Sequence, residues 1–128
     1  MNSYFDEFGH LIVEIEVKGS LESIVISAFI DTCFDGYICL PTETAIQLGL
    51  LLFSCESFEL ADGTQKRELV FLGTAKFVNE KEDTPVEIVL TESNDTLVGI
   101  AMLSEMKMKI DFKERSIKME KSNDSVSD

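Results

Sequence analysis

Between residues 11 and 18, apolar Val13, Ile15 and Val17 alternate with Glu14, Glu16 and Lys18. A period of two puts one set of side chains on one face of an extended chain, so the segment predicts a half-buried β-strand. Gly19-Ser20 then turns the chain. Residues 23–30 follow as a nearly continuous apolar run rich in β-branched side chains, which predicts the second strand of a hairpin over residues 22–30. Tyr37-Ile38-Cys39-Leu40 predicts a brief third strand. Pro41 and Gly49 bracket a predicted short helix over residues 41–49, because proline suits a first helical turn and glycine the position where a helix ends.

The middle of the chain again reads as β. Residues 57–60 and 68–78 flank Ala61-Asp62-Gly63-Thr64, and Asp-Gly is a strong hairpin-turn signal. Gly73, inside the second of these strands, predicts a bulge or a close backbone approach. Residues 79–83 are a charged, solvated turn. Residues 86–91 predict another strand, Ser93-Asn94-Asp95 a turn, and residues 100–106 a short helical stretch entered through Leu97-Val98-Gly99. Met108, Ile110 and Phe112 alternate with Lys107, Lys109 and Asp111, and Ile117 and Met119 resume the alternation after a Lys113-Glu114 turn. The expected architecture is one all-β domain over residues 1–121, a closed, mostly antiparallel barrel with one or two short helices. A polar tail is expected over residues 122–128.

Composition narrows the chemistry. With 128 residues the chain is expected to form one domain with a sizeable core. Eleven basic side chains against 24 acidic ones leave a net charge of −13, which argues against nucleic-acid or anionic-membrane partners. No apolar run approaches the roughly 20 residues of a membrane span, and the first residues lack the pattern of a signal peptide. Three cysteines without metal-ligand spacing predict neither a disulfide scaffold nor a metal site, and a reducing cytoplasm is the expected compartment. A single histidine, His10, leaves little material for a histidine-based nucleophile. It reads as an exposed lead-in to the first strand. Carboxylate chemistry stays open.

Asp31-Thr32 draws attention by position, because it ends the apolar strand Ala28-Phe29-Ile30. A carboxylate there either caps the following turn through its own backbone or belongs to a site that shares a proton. The segment Phe29-Ile30-Asp31-Thr32-Cys33-Phe34-Asp35-Gly36-Tyr37-Ile38-Cys39-Leu40-Pro41 resembles the active-site segment of retropepsin-like aspartic proteases, an apolar strand, Asp-Thr-Gly or Asp-Ser-Gly, and a second apolar strand. Leu97-Val98-Gly99-Ile100-Ala101-Met102-Leu103 is similar to the family's second element, two apolar residues and a glycine before a short helix. Leu60-Ala61-Asp62-Gly63 resembles its flap hairpin, and residues 110–117 its closing hairpin. The four elements stand in family order over about residues 11–120.

The resemblance implies an aspartic endopeptidase without cofactor, built as a homodimer because one chain carries one such segment. Asp31 and its symmetry mate would be the catalytic pair, Thr32 would brace them across the dimer, and the strand at 115–120 would join the interface. Cys33 and Phe34 would line the approach of a peptide or unfolded protein substrate, with Asp62 and Gly63 closing over it. Two positions depart from the family. Cys33 stands where it has glycine, and Phe34 where retroviral members usually have a small residue. Cβ and sulfur at Cys33 crowd the approach, which keeps open a second reading: a module of the same fold that binds a peptide or protein without cleaving it. A thiol nucleophile at Cys33 lacks a partner that would lower its pKa. Cys39, Met102, Met106 and Met108 read as packing residues and Asp62 as serving its turn.

Overall fold

The computed structural model describes residues 3–122, with the side chain of Phe58 left aside. The expected tail therefore lies outside the described residues beyond Ser122. The strands are β1 (Ser3–Phe5), β2 (Leu11–Lys18), β3 (Ser23–Ile30), β4 (Ile38–Pro41), β5 (Leu51–Glu59), β6 (Gln65–Phe77), β7 (Thr84–Thr91), β8 (Leu97–Val98), β9 (Met106–Asp111) and β10 (Ser116–Lys121). Two short helices, α1 (Thr42–Leu48) and α2 (Ile100–Leu103), interrupt them. No helix among the described residues is long and apolar enough to cross a membrane.

Six strands close on themselves in the order β2, β3, β8, β4, β7, β6 and back to β2. Closure leaves these strands few open edges. The same edge of β2 is shared: Leu11, Ile12 and Val13 pair with β1, and Ile15 to Lys18 pair with β6. β5 hangs outside the ring on β6. Most pairings are antiparallel as expected, but β3 with β8 and β4 with β7 are parallel. The slot between β3 and β4 is filled by β8, which arrives from far along the chain.

The alternation in β2 carries through to burial: Val13, Ile15 and Val17 are fully buried. They meet Ala28, Ile38, Leu40, Ala75, Phe77, Val86, Ile88 and Val98 inside the ring. Leu48 of α1 joins this core, while Gly49 ends the helix in the left-handed region at φ 72°. Cys39 is buried, and Met102, Met106 and Met108 pack against the core, as their patterning predicts. β9 and β10 form a separate two-stranded sheet whose Met119 reaches the core.

Two expectations change, and one alternative is decided. The strand expected at 57–60 begins at Leu51, and the hairpin arm is correspondingly longer. Gly73 marks no bulge but a close approach, since a Cβ there would lie 2.9 Å from the Lys18 carbonyl oxygen. The register shift falls instead on β5 between Leu52 and Ser54. The second helix stops at Leu103 rather than at Met106, because Met106 is already paired with Lys121.

Candidate active site

Residues 31–37 link β3 to β4 across the slot that β8 fills. Ile30 pairs with Val98 in parallel, so the chain leaves β3 beside the end of β8. Four backbone hydrogen bonds then tie the link to residues 98–101. The Asp31 amide donates to the Val98 carbonyl at 2.9 Å and the Gly99 amide to the Tyr37 carbonyl at 3.0 Å. The Ile100 amide donates to the Phe34 carbonyl at 2.8 Å and the Ala101 amide to the Gly36 carbonyl at 3.1 Å. Two segments that the sequence separates by more than sixty positions thus become one rigid unit.

Close approach explains the glycine at 99. A Cβ there would lie 2.3 Å from the Gly36 carbonyl oxygen and 2.5 Å from that of Phe34. The Phe34 ring also lies over this junction, with atoms 2.7 Å from a Cβ built on Gly36 and 2.6 Å from one built on Gly99. Phe34 is half-buried, and its ring packs on its own loop. The pairing of Gly36 with Gly99 escaped the sequence reading. The signal was there, two glycines each beside an apolar strand, but only the fold makes them neighbours.

Asp31 is half-buried rather than deeply buried. Its Oδ1 accepts the Cys33 amide at 3.0 Å, and the Phe34 amide donates to the Asp31 carbonyl at 3.2 Å. The carboxylate therefore caps its turn, one of the two roles open to it from sequence. That role uses one oxygen. Oδ2 has no protein hydrogen-bond partner among the described residues. Thr32 and Cys33 are exposed on the same loop. Cys39, by contrast, is buried, and burial pushes its thiol above the usual range, helped by the charge of Glu68.

Asp62 and Gly63 sit at the tip of the β5–β6 hairpin. The Leu60 amide donates to the Thr64 carbonyl at 2.8 Å and the Gly63 amide to the Leu60 carbonyl at 2.9 Å. Gly63 takes φ 88°, a left-handed conformation that glycine adopts without a Cβ penalty. Asp62 Oδ1 accepts the Thr64 hydroxyl at 2.6 Å and the Thr64 amide at 3.0 Å. Those two bonds, the hydroxyl first, hold Asp62 below its ordinary value of 3.8. Asp62 serves the turn, as its sequence context predicts. Among the described residues no hydrogen bond or ion pair joins this tip to residues 31–37.

A lowered folded pKa means that the ionised form stabilises the turn. That contribution is present above the ordinary carboxylate value and is lost as pH falls through the lower folded one. Protection of the Thr64 amide from exchange is expected to persist as pH falls through the ordinary carboxylate value and to be lost only below it. Asp62→Asn should flatten this profile. An amide that loses protection already near pH 5 in the parent chain would contradict the assignment.

No family model matches the chain, and no curated protein matches its sequence. Solved structures do resemble it. A retropepsin-like aspartic protease from Rickettsia conorii superposes with a TM-score of 0.57 at 18% identity, over 85% of this chain and 82% of that one. The protease of simian foamy virus (mac) gives 0.55 at 16% identity, over 73% and 91%. The retroviral protease-like domain of Ddi1 from Leishmania major gives 0.53 at 15%, over 86% and 87%. The fold is retropepsin-like.

Proposed function

We propose that this retropepsin-like fold, one domain over residues 1–121, works as an aspartic endopeptidase on peptides or unfolded proteins in the cytoplasm. One observation carries the reading. Asp31 sits on a loop locked to residues 98–101, with one carboxylate oxygen fixed by the Cys33 amide and the other unbonded. A single carboxylate of this kind is half of the required machinery. A two-fold homodimer with Asp31 on its axis supplies the other half, and β10 contributes to the interface.

The chemistry follows from the pair. Two carboxylates at roughly 3 Å cannot both ionise, so they hold one proton between them. The ionised group takes a proton from a water as that water attacks the peptide carbonyl carbon, and the neutral group donates to the developing oxyanion. The proton taken up is then available to the leaving amine. Thr32 braces the pair across the dimer, and the hairpin tip at Asp62 and Gly63 closes over the peptide. Asp62 remains ionised at the mildly acidic pH that suits a singly protonated pair, so its turn stays formed there.

Assembly is testable by sedimentation equilibrium. At micromolar concentration a dimer of the 14.3 kDa chain is expected. Two chains at −13 bring −26 together, so moderate salt should strengthen the dimer by screening that repulsion. A monomer at all salt concentrations would count against the reading.

Cys33 favours a second reading, a peptide- or protein-binding module that does not cleave, because its exposed side chain stands beside Asp31. Cleavage of a peptide library by the parent chain and by Cys33→Gly separates the two. At matched dimer concentration, mildly acidic pH and with a thiol reductant, Cys33→Gly is expected to raise kcat/KM, by up to about 10²-fold if Cys33 displaces substrate by about 1 Å. Cleavage by neither protein, with the dimer intact, would leave the binding module. Equal, robust cleavage by both would refute the steric role of Cys33.

A further inference from the structure

Charge is unevenly distributed over this chain. Residues 106–121 carry six of the 11 basic side chains and three of the 24 acidic ones, a local charge of +3, which leaves −16 on the rest. The structure folds this segment into the β9–β10 hairpin. Met106, Met108 and Met119 pack against the core from one face, so alternation commits Lys107, Lys109 and Lys118 to the other. There Lys109 stands directly opposite Lys118, and Lys107 opposite Glu120. Like charges facing each other across two strands are unfavourable. Lys118 lies 3.7 Å from Glu120, but neither Lys107 nor Lys109 forms an ion pair among the described residues of a chain rich in acids. The three lysines and Glu120 line a shallow concavity of about 210 Å³.

We infer that this outer face docks an extended acidic segment of another protein. Lys107 and Lys109 are alternate residues of one strand, so their side chains emerge about 6.8 Å apart. An extended peptide with carboxylates at alternate positions repeats that spacing, and Lys118 adds a third cation from the neighbouring strand. The same charge map disfavours larger polyanions. A duplex or an anionic bilayer would also face the −16 on the rest of the surface, whereas a single extended segment lies mainly within a Debye length, about 8 Å at physiological salt, of the hairpin. This docking face contains no residue of the loop at 31–37 and shares only β10 with the proposed dimer interface, so sedimentation of the Lys107, Lys109 and Lys118 triple variant beside the binding assay separates loss of docking from loss of the dimer.

Fluorescence anisotropy with a labelled peptide of about five Ser-Glu repeats tests the proposal, using the full chain. A peptide of equal composition with its glutamates in one block is the control for charge alone. The alternating peptide is expected to bind more tightly than the blocked one. Lys107→Gln, Lys109→Gln and Lys118→Gln together should weaken it about tenfold, in line with three exposed ion pairs. These side chains are exposed, so the triple variant should keep the parental melting temperature. Asp111, at the turn end of the same face, accepts the Lys113 and Glu114 amides; Glu120→Gln removes the carboxylate that lines the concavity and should tighten binding about twofold. Equal binding of both peptides, unchanged binding by the triple variant, or a preference for phosphatidylserine vesicles or duplex DNA would each overturn the assignment.

Discussion

Asp31→Asn is expected to abolish cleavage while leaving the fold in place. Asparagine keeps the shape of the side chain, and its Oδ1 can still accept the Cys33 amide that now bonds Asp31 at 3.0 Å. The turn at the end of β3 therefore survives, and stability should change by less than about 0.5 kcal/mol, the usual scale for a substitution that disrupts no buried feature. The chemistry does not survive. An amide can neither take a proton from the attacking water nor hold the shared proton. Loss of both roles should lower the rate by about 10³-fold or more. Initial rates on an unstructured protein substrate, alongside thermal melts of both proteins, measure the two effects separately. Undiminished cleavage by the Asn variant would place the activity at another site.

Gly99→Ala should damage stability and activity together. The new methyl would lie 2.3 Å from the Gly36 carbonyl oxygen and 2.5 Å from that of Phe34. Neither oxygen can simply move away. They are the acceptors for the Ala101 and Ile100 amides, so retreat breaks the bonds that hold the loop. The cost combines overpacking with weakened backbone hydrogen bonds at the junction, about 3 kcal/mol in all. For a domain of this size that corresponds to a drop in melting temperature of roughly 10 °C. Urea denaturation reads the loss directly. Because the loop carries Asp31, a shift of about 1 Å there should cost on the order of 10²-fold in cleavage rate even in the folded fraction. A variant with parental stability and rate would mean that the junction has slack.

The two variants separate chemistry from architecture. Asp31→Asn leaves the loop and removes the proton traffic, whereas Gly99→Ala leaves the carboxylate and moves it.

Several parts of this protein were legible in the chain alone. The β2–β3 hairpin follows from the alternation at residues 13–18 and the turn at Gly19-Ser20, and α1 from Pro41 and Gly49. The tip at Asp62-Gly63 follows from turn chemistry. These are local properties, set by which face a side chain occupies and which φ a residue tolerates. Tertiary structure decided the rest. Leu51, Leu52 and Phe53 show no alternation and are more than half exposed, so only the pairing of Leu51 and Leu52, and of Ser54 beyond the register shift, with β6 makes this stretch a strand. The second helix ends early because β10 claims Met106. The two parallel pairings and the insertion of β8 between β3 and β4 join segments tens of residues apart, and no local pattern encodes that distance. Asp31 shows the division most clearly. Its place at the end of an apolar strand is written in the sequence, but the half-buried carboxylate, with one oxygen capping the turn and one unbonded, exists only because residues 98–101 grip the loop through backbone groups whose partners the sequence does not name.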